Sequence, residues 1–279
     1  MLDPLLAEKL NKLYDWAKGR ACAIAFSGGV DSTTLAKALV ERQDLLAVPP
    51  VGYFAESASS TELEKSEARR VANEIGLELR VVQSTEFDDP KFVENSPKRC
   101  YWCKKIRFSA LKELAQRELG DPINASIALL DGSNADDSGD YRPGMQAALE
   151  VGVESPLLEA GLNKSEIRAL ADYWKLTVAQ KPSTPCLATR IAYNLSITND
   201  LLRKIETAEI AIKKAGASTC RARVDGPTSI RIEVPEAEIE RFAQRETRLA
   251  IIEQMRDLGF FFISLDMEGF ASGKNNRAI

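Results

Sequence analysis

The chain of 279 residues carries 41 acidic and 37 basic residues, a formal charge of −4, and 44% hydrophobic content, enough for a substantial core and for two domains of ordinary size. That charge balance argues against a dedicated nucleic-acid binder, and no apolar run approaches the roughly 20 residues of a membrane span. Histidine is absent, which removes Ser–His and Cys–His nucleophile pairs, histidine bases and histidine metal ligands together.

In chain order, MLDPLLAEKLNKLYDWAKG reads as an amphipathic helix rather than a signal peptide, which places the protein in the cytoplasm. An apolar β-type run from Ala21 ends in Gly28 and Gly29 and opens a helix from Ser32 to Glu41. A second β-type stretch from Leu45 to Ala55 is interrupted by Pro49 and Pro50. Thr61 and Glu64 have capping-box spacing before a helix that Gly76 stops. Glu78 to Gln83 alternates as a third strand, a helix spans Cys103 to Leu119, and Ile123 to Leu130 reads as a fourth strand. Such alternation predicts an α/β fold with a parallel sheet and helices on both faces, ligands gathering at the carboxyl ends of the strands. Asn163 and Glu166 cap a helix to Lys175. Beyond Pro182 to Pro185 the pattern becomes a helix from Thr198 to Lys214, a hairpin of Cys220 to Val224 with Ile230 to Val234, a helix from Ala237 to Leu258 and a strand from Phe260 to Leu265, an order that suits a smaller α+β domain.

The residues that carry chemistry fall in a few places. In ACAIAFSGGVDS, Gly28 and Gly29 let the backbone turn sharply after a strand and bring N–H groups to an anion, while the following helix adds its dipole and Ser27 and Ser32 their hydroxyls. The alternative is a plain tight turn with a serine cap. No G-x-x-x-x-G-K-S/T occurs, and no lysine of this loop reaches a β/γ-phosphate, so a γ-phosphate-transferring P-loop is excluded.

Five cysteines point to thiol or metal chemistry rather than a disulfide framework. Cys22 reads as a buried small hydrophobe, and Cys220 has no evident partner. Cys100 and Cys103 form CYWC among Lys98, Arg99, Lys104 and Lys105, which suits a metal chelate, a redox dithiol or two unrelated thiols. Cys186 lies in KPSTPCLATR, between stiffening prolines and beside Lys181 and Arg190, a setting for a reactive or metal-bound thiolate. Zinc would need a fourth ligand from Cys220 or a carboxylate, whereas a 4Fe–4S cluster accepts three cysteines and leaves one iron open. The loop DGSNADDSGDYRPG gathers Asp131, Asp136, Asp137 and Asp140 around Ser133 and Asn134, either as a solvated acidic loop or as contacts to ribose and Mg²⁺. Arg221 and Arg223, two apart on one strand, share a face and suit a phosphate or an exposed solvated pair.

SGGVDS resembles the signature of the PP-loop ATP pyrophosphatases, which hold the β,γ-pyrophosphate and transfer AMP to a substrate oxygen. Together with CYWC, DGSNADDSGDYRPG, KPSTPCLATR, RARVDG with IRIEV, and SLDMEGFASGKNN, it resembles the LarE sulfur transferases of that superfamily over nearly the whole chain. The resemblance implies a PP-loop (adenine nucleotide alpha hydrolase-like) adenylation domain over residues 1–181 and an α+β substrate and oligomerisation domain over 182–279. It implies an activity that adenylates the carboxylates of pyridinium-3,5-dicarboxylic acid mononucleotide, a nicotinate-derived substrate, and makes them thiocarboxylates for the nickel-pincer nucleotide of lactate racemase.

By the same resemblance Ser27, Gly28, Gly29, Val30, Asp31 and Ser32 hold pyrophosphate, with Asp31 also assigned to catalysis. The backbone near Phe54 to Glu56 meets adenine, Asp131, Gly132, Ser133 and Asn134 border ribose and AMP, and Mg²⁺ accompanies ATP. Cys186 handles sulfur, and Arg190, Arg221 and Arg223 hold the substrate's phosphate. Cys100 and Cys103 beside Cys186 place the chain in a three-cysteine branch, with a 4Fe–4S cluster carrying sulfide from an unspecified source; donation of the Cys186 sulfur itself is the other route. A homo-oligomer and a downstream nickel-inserting enzyme are also implied. Two positions depart from the pattern: Asp225 stands where many relatives are expected to have histidine, and Pro49–Pro50 interrupts the second strand. The rival readings are a PP-loop tRNA thiolation enzyme, an amide-forming synthetase and an adenine-nucleotide sensor with structural zinc.

Overall fold

The computed structural model describes residues 2–119, 127–139, 143–182, 185–271 and 274. Two compact units are present: Met1–Ser57, Glu62–Glu86 and Cys100–Thr184 form the first, and Ala58–Thr61, Phe87–Arg99 and Pro185–Ile279 the second. The first unit is an α/β sheet structure. It begins with α1 (Pro4–Ala17), β1 (Ala21–Ala25), α2 (Val30–Glu41), β2 (Val51–Glu56), α3 (Glu62–Ile75) and β3 (Glu78–Gln83). After the short α4 (Pro90–Val93) of the second unit come α5 (Arg99–Leu119), β4 (Ile127–Leu130), α6 (Pro143–Val151), α7 (Pro156–Glu159) and α8 (Lys164–Tyr173).

The four strands are parallel, in the order β3-β2-β1-β4. Alternation along each strand sends side chains to two cores. Cys22 and Ile24 of β1, Phe54 of β2 and Ala128 and Leu130 of β4 pack with Leu10, Leu35, Val71 and Leu170 from α1, α2, α3 and α8. Ala23, Tyr53 and Leu129 face the other way, onto Phe108 and Leu111 of α5 and Ala148 of α6. The helices themselves follow local rules. Asp3 accepts the Leu5 and Leu6 amides ahead of Pro4 and starts α1, whose buried Leu6, Leu10, Leu13 and Ala17 recur at helical spacing. Asn163 and Glu166 form the expected capping box of α8.

The second unit continues with α9 (Asn199–Lys214), capped by Thr198, then β5 (Arg221–Gly226), β6 (Ser229–Glu233), α10 (Ile239–Ala243), α11 (Arg245–Asp257) and β7 (Phe262–Leu265). β5 and β6 pair antiparallel as the hairpin reading predicts, and β7 adds parallel to β6. Among the described residues no helix is long and apolar enough to cross a membrane.

Several expected boundaries are corrected. The predicted Ser32 start of α2 moves back to Val30, with Gly29 as the N-cap, so Asp31 and Ser32 lie in its first turn. β2 starts at Val51, because Pro49 and Pro50 cannot donate to a ladder and are left outside it. α5 starts at Arg99, which brings Cys100 into the same turn as Cys103. Residues 123–126 of the expected fourth strand lie outside the described residues. The helix predicted from Ala237 to Leu258 breaks at Gln244, whose ψ of 144° is extended. On one straight helix Phe242 and Ile251 would face about 180° apart; with the break, both are buried.

Glu86, fully buried at the end of the first unit's second segment, accepts hydrogen bonds from Arg107, Ser84 and Ser57. Burial raises its carboxyl, but the Arg107 charge and these bonds outweigh burial and hold it below its ordinary value. A depressed carboxylate stabilises the fold above its unfolded pKa of about 4.3 and loses that contribution as pH falls through the lower folded value. Glu86→Gln, which leaves the Arg107 charge without its partner, is expected to cost ~3 kcal/mol at pH 7 in urea unfolding, with the gap to the parent closing below about pH 4.

Candidate active site

In the first unit, the turn after β1 depends on Gly28. Its φ is +69°, and a Cβ there would stand 2.8 Å from the Ala68 Cα of α3. The loop is held by its own serines: the Ser27 and Ser32 hydroxyl oxygens are 3.1 Å apart, the Gly29 amide donates to Ser27 Oγ at 3.3 Å, and Ser32 Oγ receives the Ser27 amide at 3.2 Å. Val30, Asp31 and Ser32 form the first turn of α2, where the helix dipole favours an anion.

The turn after β4 packs against this one. A Cβ on Gly132 would stand 2.9 Å from the Ser32 amide nitrogen, so the absence of a side chain permits the approach. Asp131, 5% exposed, accepts from the Ser133 amide and hydroxyl at 3.1 and 2.8 Å and from Ser155 Oγ at 2.7 Å. Asn134 Nδ2 donates to Asp31 Oδ1 at 3.4 Å. The predicted nucleotide contacts at Ser27–Ser32 and Asp131–Asn134 are thus brought together. Phe54 buries its side chain in the core, which leaves only its backbone at the sheet end. Asp140 lies outside the described residues.

The residue that sequence reading missed is Lys164. Its ammonium forms an ion pair with Asp31, and its own amide donates to Asp136 at 2.9 Å. The start of α8, more than a hundred residues downstream, thus brings an ammonium to this loop. Its place directly after the capping Asn163 was the only local signal.

In the second unit, Cys186 is the N-cap of the short turn Leu187–Arg190 and is half-buried. Its carbonyl receives the Thr189 amide and hydroxyl at 3.0 and 2.8 Å and Arg190 Nη1 at 3.2 Å. Arg190, 2% exposed, also donates to Pro185 O and pairs with Glu209 through Nε at 2.8 Å. Arg223 pairs with the buried Glu233 at 3.2 Å and donates to Thr189 O at 2.8 Å. Arg221 is half-buried, and burial followed by the Arg190 charge lowers its pKa; burial likewise lowers that of Arg223. Arg190, Arg221 and Arg223 therefore share one partly desolvated cluster, in which the first and third are matched by carboxylates.

The cysteines separate by environment. Cys100 is exposed and Cys103 half-buried on the first turn of α5, and none of the five is in a disulfide. Burial pushes the thiols of Cys22 and Cys220 up to about 12, and Cys220 Sγ donates to the Glu209 carbonyl at 3.5 Å. Among the described residues no group of three or more Cys, Asp or Glu side chains is arranged to hold a metal ion. Cys100 and Cys103 offer two thiols of one helical turn in the first unit, and Cys186 belongs to the second. Iodoacetamide at pH 8 is expected to modify Cys100, Cys103 and Cys186 in the native protein and to reach Cys22 and Cys220 only after denaturation, read by peptide mass mapping.

No protein-family model matches the chain. An uncharacterised protein of Synechocystis sp. is 37% identical over 92% of each chain. An uncharacterised protein of Methanocaldococcus jannaschii is 28% identical over 94% of this chain and 95% of its own. The pyridinium-3,5-bisthiocarboxylic acid mononucleotide synthase of Lactiplantibacillus plantarum is 34% identical over 92% of this chain and 89% of its own. Identity of that extent, over nearly the full length of both chains, means that this chain belongs to the LarE family.

Proposed function

We propose that the chain is an ATP-dependent sulfur transferase that adenylates the carboxylates of a pyridinium-3,5-dicarboxylic acid mononucleotide and replaces AMP by sulfur. The observation that carries this reading is the convergence of Ser27–Ser32, Asp131–Asn134 and Lys164 at the ends of β1 and β4, which gathers N–H groups, hydroxyls and one ammonium. The name of the L. plantarum relative supports the substrate class and the sulfur chemistry.

A carboxylate resists nucleophiles because it lacks a good leaving group. Attack of its oxygen on the α-phosphorus breaks the bond to pyrophosphate and yields an acyl adenylate. A sulfur nucleophile then adds at the carbonyl carbon, and the bond to the AMP oxygen breaks with AMP taking the electron pair. In this reading the Gly28–Gly29 turn and the α2 N-terminus bind the pyrophosphate, and Lys164, held by Asp31, neutralises charge that grows on it. Asp131 and Asn134 border the ribose. Mg²⁺, when bound, offsets the charge of the departing pyrophosphate. Arg221 meets the phosphate of the mononucleotide, Arg223 backs it on the same strand, and Arg190 fixes the carbonyls of Pro185 and Cys186 so that the thiol is presented from a set backbone. Cys186 is the proposed sulfur-handling residue; where it donates its own sulfur, the Cys186 thioester loses its Cα proton to a base and the Cβ–Sγ bond breaks with sulfur taking the electron pair, which leaves dehydroalanine and the thiocarboxylate. A 4Fe–4S cluster on Cys100, Cys103 and Cys186 is proposed on the resemblance and the spacing alone.

The test is pyrophosphate release from ATP and Mg²⁺ on anaerobic protein, with and without the dicarboxylate mononucleotide. Release that depends on the mononucleotide is expected, Lys164→Ala slowing it by about a hundred-fold, while Cys186→Ala releases pyrophosphate but forms no thiocarboxylate. Release indifferent to the mononucleotide, together with tight salt-sensitive binding of tRNA, overturns the reading in favour of tRNA thiolation. Iron and acid-labile sulfide separate the sulfur routes. About four of each per chain, lost in Cys186→Ala, are expected for a cluster; iron-free protein that completes a single turnover assigns the sulfur to Cys186 itself.

A further inference from the structure

Of the three clustered guanidiniums, Arg221 differs in its partners. Arg190 is matched by Glu209 and Arg223 by Glu233, whereas Arg221 has no carboxylate partner among the described residues. Only its Nη1 is engaged there, donating to Cys220 O at 2.7 Å, and the guanidinium lies 4.9 Å from the ring centroid of Phe270. A guanidinium seated over an aromatic ring can still direct N–H groups at two oxygens of a phosphate.

Phe270 is held there by a docked backbone. After β7 the chain folds back on β6: the Asp266 amide donates to Ile232 O at 2.9 Å, and the Phe270 amide to Val234 O at 2.8 Å. Between them Gly269 has a φ of +71°, and a Cβ would stand 2.7 Å from Val234 O, so any side chain would lift this segment off the strand. Asp266 accepts from Lys274 at 2.6 Å and from Arg231, and Arg231 also pairs with Asp225 and Glu233. Asp225, where the resemblance leads one to expect histidine, is one end of the charge network that fastens the tail.

We propose that Phe270 is a positioning residue: its ring holds the Arg221 guanidinium as a flat fork aimed at the phosphate monoester of the mononucleotide, so that the tail selects for the phosphorylated substrate. This rests on the reading of Arg221 as the phosphate contact.

The experiment compares binding of pyridinium-3,5-dicarboxylic acid mononucleotide with that of the corresponding riboside, which lacks the phosphate. The full chain is used as parent, Phe270→Leu, Phe270→Tyr and Arg221→Ala, with AMP binding as the control for an intact first unit. Phe270→Leu is expected to reduce the preference for mononucleotide over riboside about five-fold, Phe270→Tyr to retain it, and Arg221→Ala to reduce it about thirty-fold. Equal weakening of both ligands by Phe270→Leu, or an unchanged preference, overturns the inference while leaving Arg221 in place. An unchanged preference in Arg221→Ala overturns the assignment of the phosphate to Arg221, and the inference with it. A parent with no preference for the phosphate overturns the reading of the site as a whole.

Discussion

The candidate site of the first unit depends on the close approach of two backbone turns, Gly132 against Ser32, at the point where strand order reverses. β1 is flanked by β2 on one side and β4 on the other, and all the strands end at one edge. Chains leaving β1 and β4 in such a sheet open a crevice at their carboxyl ends. Here both crevice walls carry a glycine that tolerates no side chain, Gly28 against α3 and Gly132 against α2. The amides of the α2 first turn, the hydroxyls of Ser27 and Ser32 and the Asp31–Lys164 pair are all set by that close fit.

The charges at this edge are balanced in a way that suits a polyanion. Asp31 and Asp131 are each engaged by neighbours, Asp31 by Lys164 and Asn134 and Asp131 by Ser133 and Ser155. The Asp31–Lys164 pair is neutral as a whole, so the dipole at the start of α2 is the feature of this loop that favours an anion. Holding Lys164 against Asp31 keeps the cation in place without burying it alone, which a low-dielectric site would penalise.

The second unit uses charge differently. Its arginines are buried against carboxylates and carbonyls, and such pairs contribute more to geometry than to stability once desolvation is counted. Arg190 and Arg223 both reach the turn after Cys186, one through Pro185 and Cys186 and the other through Thr189. The cysteine is consequently carried on a backbone tied down from two directions, and Arg221, which has no carboxylate partner among the described residues, lies against Phe270.

Much of this was legible along the chain. Periodicity and caps gave β3, α8, α9 and the hairpin of β5 with β6, because each depends on residues within a few positions of one another. The glycine loop and the acidic turn were recognisable for the same reason. What the local pattern missed is what depends on distance: Lys164 reaching Asp31, the break at Gln244 that turns Phe242 and Ile251 to buried positions, and Phe270 returning over β6 to Arg221. A single sequence determined the chemistry available, the glycines, thiols and arginines and the absence of histidine, since these are properties of residues. Tertiary structure decided which of them meet, which thiols are sealed by burial and which arginines are paired with carboxylates, because those outcomes follow from packing between segments far apart in the chain.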